Sequence, residues 1–531
     1  MDRRIWNARI WWGLWAIGTG AVLAAALRLT DGRLVYSLDD PMIHLALAEM
    51  LLEGHYGVNP VEPASPASSI LYPPLLAIGL AIGLGTAAPL VLALAAMGLA
   101  VWIVLRLYWL GVVPEGTGLA TWAHLPVPGL LLTLNAVALP LTGMEHALHV
   151  AAVAATLTGL WRAAETGRVP PWLVPAIVAL PLLRYEGVAM AAGAVAALSL
   201  LGRWQAVALS AAAIAGGLGM QAALLTHLGL PWLPSSTMVK SDLAAWAGAA
   251  EGAAPGALTV VRRVFGALEH RDGILLGVAL AALLAIPDRG DGRLRPRRDP
   301  AWALGLATGA AIAGHLVAGR YGWFERYEIY AVAAVLVSGL LLLRGPLAPR
   351  LVRAVPAAAL LAGLLAVNVQ ILRVTALTPW AAVNIYQQQV QMHRFATDYF
   401  PVPAAVTDLG WLSWRNANPV LDLSGLGSEE VRRQLVKGPL DAEALEGLVA
   451  AEGVEMALID AGAFFGRIPA SWCFLGTLRT LRITSASDRV HFFATEPAAV
   501  LPMAEALTRF WPSLPPGARF VPSRCGDPAA P

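Results

Sequence analysis

The chain has 531 residues, 57% hydrophobic and only 14% charged, well below the ~25% charged of an ordinary soluble protein, which excludes a soluble globular enzyme. Its net charge of +2 comes from arginines scattered in short linkers, with only the lysines Lys240 and Lys437, so there is no continuous basic surface for nucleic acid. Two cysteines, Cys473 and Cys525, exclude a cysteine-built metal centre and leave open either a disulfide outside the cytoplasm or two free thiols.

Residues 1–27 carry Arg3, Arg4 and Arg9 before an apolar run, as a signal peptide does. The many apolar runs that follow favour an uncleaved first crossing, with Trp6, Trp11, Trp12 and Trp15 as interfacial anchors. Stretches near the ~20 residues of a membrane span lie at 10–30, 89–111, 125–142, 146–162, 171–185, 187–202, 204–227, 273–287, 301–319, 328–344 and 354–373. About eleven crossings gather the basic linkers on one side, which puts the N-terminus inside and the C-terminal region outside. Those linkers hold Arg106, Arg162, Arg168, Arg203, the run Arg289–Arg298, and Arg344, Arg350 and Arg353.

The first outer loop, residues 31–88, opens with Ser37-Leu38-Asp39-Asp40-Pro41-Met42-Ile43-His44. Pro41 suits the first turn of a helix, and Asp40 is expected to cap it by accepting from free N–H groups. His44 falls one turn above Asp40 on the same face. The helix is expected to stop at Gly54, with its Leu and Met residues lying in the membrane interface. A Gly/Pro/Ser connector over 54–69 leads to Ile70–Gly85, too short for a span and expected to be re-entrant.

The other outer segments each carry ionisable or polar residues near a span end. They are Glu145-His146, Arg184-Tyr185-Glu186, Pro234-Ser235-Ser236 with Lys240, and the run from Arg320 to Glu328 that includes Arg326. Charge at membrane depth is costly unless it is paired or faces water. The clusters therefore predict one outward-facing polar cavity, against internal ion pairs such as Arg184 with Glu186 or Glu145. Glu145 with Asp39 or Asp40 is either a divalent-cation site or part of an ion pair.

Residues 376–531 contain no span. Helices are expected over 385–399, 429–437 (capped by Ser428) and 442–451 (capped by Asp441), with strands over 404–408, 420–423, 454–459, 478–483 and 490–494. The alternation predicts an extracytoplasmic α/β domain with an extended tail over 512–531. It carries no nucleotide-binding glycine fingerprint and no Ser/His/Asp arrangement.

The pattern resembles the GT-C superfamily of lipid-phosphate-sugar-dependent glycosyltransferases, and is most similar to its AftB-like arabinofuranosyltransferase branch. The residues that carry the resemblance are Leu38-Asp39-Asp40-Pro41-Met42-Ile43-His44-Leu45-Ala46, Gly57-Val58-Asn59-Pro60 and Thr142-Gly143-Met144-Glu145-His146-Ala147-Leu148. Further matches are Arg184-Tyr185-Glu186-Gly187, Leu233-Pro234-Ser235-Ser236 with Lys240, Asp408-Leu409-Gly410 and Asp422-Leu423-Ser424-Gly425-Leu426. Tyr185 departs from the related pattern, which usually has proline there.

The resemblance implies a GT-C-like polytopic α-helical membrane protein in a bacterial inner membrane. It also implies inverting transfer of a sugar, such as arabinofuranose, from a polyprenyl-phosphate donor to an acceptor hydroxyl of a glycan on the outer face. Asp39 is then the expected general base, with Asp40 orienting the loop. Lys240, Arg320 and Arg326 are expected to stabilise the phosphate leaving group, with His44, Glu145, Arg184 and Glu186 in the substrate site. Two readings from other classes stand beside this one: a flippase or transporter of a lipid-linked sugar, and a structural membrane subunit whose outer domain binds a partner.

Overall fold

The computed structural model describes residues 2–60, 62–113, 122–240, 257–285, 300–343, 355–464 and 466–525. The basic linkers Arg289–Arg298 and Arg344–Arg353 lie outside these residues, as does most of the outer segment between Lys240 and Ala257. Among the described residues, six helices are long and apolar enough to cross a membrane. They are α1 (Arg3–Leu29), the helical run Gly85–Val112 around α4 (Ala88–Leu107), α6 (His146–Thr166), α9 (Trp204–His227), α13 (Pro300–Ala318) and the run Gly363–Tyr399, which begins within α15 (Val355–Gln387). Shorter apolar helices pack among them: α3 (Tyr72–Ala81), α7 (Leu173–Leu183), α8 (Gly187–Leu200) and α14 (Ile329–Leu343). The remaining helices of this part are α2 (Asp40–Leu52), α5 (Val127–Thr133), α10 (Ser235–Lys240), α11 (Ala257–Ala267) and α12 (Arg271–Ala285).

Several expectations change. The span expected at 125–142 is not one helix: α5 ends at Thr133, turns follow, and a 3-10 turn covers Leu139–Thr142. Asn135 takes a positive φ of 49° in that break, a conformation suited to Asn and not to a continuing helix. Three of the four N-terminal tryptophans donate hydrogen bonds to other segments of the protein. Trp11 donates to His124 Nδ1, Trp12 to the Gly98 carbonyl and Trp15 to the Ala136 carbonyl, each at 2.9 Å.

Helix α2 does not lie in a membrane interface. Pro41 through Ala48 are all buried, as expected of a helix apolar on every side. Met42 and Leu45 join a single core with Tyr72 of α3 and with Leu409, Phe395 and Phe492 of the outer domain. The first outer loop is therefore the floor on which that domain stands.

Helix α15 runs unbroken past residue 375 and turns only at Gln388, so the helix expected to begin at Ile385 is its continuation, followed by α16 (Gln389–Arg394). Beyond it a six-stranded sheet has the order β2-β1-β3-β5-β4-β6. The strands are β1 (Ala404–Val406), β2 (Val420–Asp422), β3 (Met456–Ile459), β4 (Cys473–Arg479), β5 (Arg489–Ala494) and β6 (Arg519–Pro522). β1 pairs in parallel with β2 and β3, and the later strands pair antiparallel. Helices α17 (Gly410–Ser413), α18 (Glu429–Lys437), α19 (Ala442–Ala451) and α20 (Val500–Phe510) complete the domain.

The strand expected at 478–483 starts earlier, at Cys473, and the tail expected to be coil contributes β6. Asp441 caps α19 as expected, accepting from Ala444 N at 2.8 Å. Ser428 makes no capping bond to α18; its hydroxyl accepts from Asp422 N at 3.0 Å instead. Cys473 and Cys525 are disulfide-bonded, tying the start of β4 to the end of the tail.

Candidate functional site

The outer domain is docked on the first loop by side chains that address its backbone. Asp39 Oδ1 accepts from Trp411 N at 2.9 Å. Asn59 donates to the Val420 carbonyl and accepts from Val420 N, both at 3.0 Å, so it pairs with the edge of β2 as a neighbouring strand would. Glu62 accepts from Glu429 N at 2.8 Å, at the N-terminus of α18. Gly410 lies against the Asp39 carboxylate so closely that a Cβ there would collide with it.

This geometry overturns the expected capping role of Asp40. Asp40 is the first residue inside α2, and the N-cap position belongs to Asp39, whose side chain makes no bond to its own helix. Asp40 Oδ2 instead lies 2.7 Å from Arg326 Nη2. Asp39 is therefore the carboxylate fixed by backbone N–H donors, and Asp40 is the one held by a guanidinium. Burial pushes the Asp39 carboxyl well above the usual carboxylate range, the charge of Asp408 adds to this, and the Trp411 N–H opposes it.

Arg326 is presented by an unusual loop. Gly322, Trp323, Phe324 and Glu325 have consecutive φ values of 77°, 48°, 69° and 55°. Left-handed backbone costs an L-residue roughly 1–2 kcal/mol, so this turn is held by its surroundings. Gly322 N donates to Glu328 Oε2 at 3.1 Å inside it. Arg326 is 3% exposed. Its Nη2 donates to Tyr327 Oη at 3.0 Å, while its Nε and Nη1 have no hydrogen-bond partner among the described residues.

Two cavities meet at the Asp40–Arg326 pair. The larger, about 530 Å³, has Arg184, Glu186, His44 and Ser236 among its polar residues and an apolar wall from α8 (Val188, Ala189) and α13 (Ala313, Gly314, Val317, Ala318). The smaller, about 240 Å³, lies under the outer domain and is lined by Asp39, Gln389, Asp408, Ser424, Thr484 and Trp323, among others. Asp40, Ile43, Arg320, Arg326 and Tyr327 line both.

Of the expected site residues, Asp40, His44, Arg184, Glu186, Arg320 and Arg326 thus come together. Arg184 is held as an ion pair on both sides, 2.6 Å from Glu145 Oε1 and 2.6 Å from Glu186 Oε1. Burial alone would raise the Glu186 carboxyl, but the Arg184 guanidinium outweighs it and holds it at about 2. Glu145 is fully buried behind the cavity wall, between Arg184 and His44, whose Nε2 is 3.9 Å away. The side chain of Lys240 lies outside the described residues.

Other motif residues build the walls. Ser235 N donates to Ser65 Oγ at 2.9 Å, and the Asp422 carboxylate accepts from Leu426 N and Gly427 N at 2.7 and 2.8 Å. Gly143, with φ 69°, has no room for a Cβ beside Tyr36 and Pro41. Among the described residues, the carboxylates that converge as a metal centre would are Asp272, Glu325 and Glu328, not Glu145 with Asp39 or Asp40.

Sequence reasoning missed Gln389, Trp323 and the place of Asp408 in the site. Asp408 stood in a quoted motif, and its position just beyond the end of β1 was the available signal.

A family model described only as a domain of unknown function, DUF8728, matches residues 382–493. No curated protein matches the chain. Among solved structures, the crystal structure of the apo oligosaccharyltransferase of Archaeoglobus fulgidus is similar at a TM-score of 0.38 and 13% identity. That match covers 96% of this chain and 76% of that one.

Proposed function

We propose that the protein is an inverting membrane glycosyltransferase that moves a sugar from a polyprenyl-phosphate donor to an acceptor hydroxyl on the outer face of the membrane. On the resemblance read from the sequence, the sugar is a pentofuranose such as arabinofuranose. The N-terminus is then cytoplasmic and the α/β domain extracytoplasmic, in a bacterial inner membrane.

The observation that carries this reading is Arg326: a buried guanidinium with two unpartnered nitrogens, beside a carboxylate, where an apolar-walled cavity meets a polar one. A buried cation short of acceptors suits a phosphate. The lipid follows the α8–α13 wall, and Arg326 and Arg320 receive the phosphate. The acceptor hydroxyl enters from the polar side and its proton passes to Asp40. Its oxygen bonds the anomeric carbon as the bond from that carbon to the phosphate oxygen breaks. The bonding pair leaves with the phosphate, whose charge the arginines stabilise. A single displacement inverts the anomeric centre. Asp39 holds the outer domain in place and does not act as the base.

The test is incubation of the purified protein with a panel of polyprenyl-phosphate sugars and an acceptor, reading release of polyprenyl phosphate. Arg326→Ala is expected to lower that release by about 10²–10³-fold. A folded Arg326→Ala protein with unchanged donor kinetics overturns the phosphate site. Movement of lipid-linked sugar across vesicles with no release of polyprenyl phosphate means a carrier.

A further inference from the structure

The small cavity under the outer domain has a larger polar share in its lining than the apolar-walled cavity beside it. The carboxylates Asp39, Asp40 and Asp408, the amide Gln389 and the hydroxyls of Ser424 and Thr484 stand there beside two arginines and several apolar side chains. Gln389 is 1% exposed. Its Nε2 donates to Gln388 Oε1 and to Asp408 Oδ2, both at 2.8 Å, while its Oε1 has no partner among the described residues. A buried amide oxygen left without a donor carries a desolvation cost that a ligand hydroxyl relieves. Trp323 is 52% exposed and lines the same cavity, on the left-handed turn that also delivers Arg326.

We propose that this chamber is the acceptor subsite, that it takes the end of an oligosaccharide, and that Asp408, Gln389 and Trp323 determine its specificity. The proposal rests on the transferase reading above and names its second substrate. Two features select the class. Asp408 and the orphan Gln389 oxygen accept hydrogen bonds, and adjacent sugar hydroxyls supply donors to both. Trp323 offers an indole face on which the apolar C–H face of a sugar ring lies. At about 240 Å³ the chamber is smaller than a site for a drug-sized ligand, so it admits the end of a chain and not its length. That end arrives beside Asp40, at the boundary with the apolar-walled cavity.

The test uses the full-length protein in lipid nanodiscs without donor. It is titrated with linear neutral pentose and hexose oligosaccharides and, in parallel, with serine- and threonine-containing peptides, by saturation-transfer NMR and calorimetry. Oligosaccharide binding is expected, weakened about ten- to hundredfold by Asp408→Asn and about tenfold by Trp323→Ala, with Trp323→Tyr restoring much of it. Gln389→Met, which keeps the volume and removes the amide, is expected to act in the same direction. In turnover, the acceptor KM rises in these variants while the donor KM does not move.

Peptide binding that exceeds oligosaccharide binding overturns the sugar class. Unchanged oligosaccharide affinity in folded Asp408→Asn and Trp323→Ala proteins overturns the chamber, even if polyprenyl phosphate is still released. Variant-sensitive oligosaccharide binding by a protein that releases no polyprenyl phosphate from any donor sinks the transferase reading and leaves the chamber standing.

Discussion

The two cavities share Asp40, Ile43, Arg320, Arg326 and Tyr327, and differ in the rest of their walls. The larger has a long apolar wall made of small residues on α8 and α13, and its arginine Arg184 is already committed to Glu145 and Glu186. The smaller is walled by carboxylate, amide and hydroxyl groups, several of them from the outer domain. One side suits a lipid and its phosphate, the other a hydroxylated acceptor. The charges between them divide in the same way. Asp39, on the outer-domain side, is spent on docking. Asp40 and Arg326 stand at the boundary, where the two proposed ligands would meet. Adjacent carboxylates in one sequence motif thus do different work because one meets backbone N–H groups and the other a guanidinium.

The largest effect expected from breaking this division is at Asp40. Asp40→Asn keeps the shape, removes the proton acceptor and weakens the hold on Arg326, so transfer should fall by about 10²–10⁴-fold. Asp39→Asn retains an oxygen to accept from Trp411 N and should fall far less. The check is release of polyprenyl phosphate by both variants beside circular dichroism of each. A dead Asp39→Asn with an active Asp40→Asn reverses the assignment.

The next prediction sharpens the contrast between the cavities. Val317 is half-buried on the apolar wall. Val317→Trp fills the lipid side, and overpacking of this kind costs about 1–3 kcal/mol. It is expected as a ten- to roughly hundredfold rise in donor KM with acceptor KM unmoved. A rise in acceptor KM alone would mean that the occupants are exchanged.

A third prediction tests the docking itself. At Gly410 a Cβ would meet the Asp39 carboxylate, so Gly410→Ala must push the outer domain off the first loop or turn Asp39 aside. Overpacking should cost about 1–3 kcal/mol of stability, read by thermal unfolding. Activity should fall with it, because Gln389 and Asp408 move with the domain. Full activity in a Gly410→Ala protein would show that the smaller cavity does not need this register.

The sequence made the helix after Asp40, the apolar runs and most of the outer α/β domain legible, because each rests on local periodicity and turn chemistry. It also placed the clusters around Arg184, Arg320 and Arg326 on one face, and the structure brings them together at one pair of cavities. It misjudged what depends on partners distant in the chain. Whether Asp39 or Asp40 is constrained is decided by Trp411 N and Arg326, hundreds of residues away. Helix α2, expected at an interface, is buried between α3 and the outer domain, partners distant in the chain. Gln389 looks like any polar residue after a helix; its importance comes from Asp408 beside it and from the cavity both line.

The smallest expected effect is a pH dependence of docking. Burial raises the carboxyl groups of both Asp39 and Asp408. The charge of Asp408 adds to the shift at Asp39. At Asp408 the Gln389 hydrogen bond opposes the shift and the charge of Asp40 adds to it. A carboxyl with a higher pKa in the folded protein binds its proton more tightly there than in the unfolded chain. Its contribution to stability is therefore full below the ordinary carboxyl value of ~3.9. It is lost as pH rises through the folded-state value, at no more than about 1.4 kcal/mol per pH unit for each group. The unfolding temperature should accordingly fall, relative to that of Asp408→Asn, as pH climbs out of the acid range. Asp408→Asn should flatten the profile, since it removes one titrating group and one source of charge beside Asp39. A profile that Asp408→Asn leaves unchanged would mean that these carboxyls are solvated and that the outer domain does not close over them.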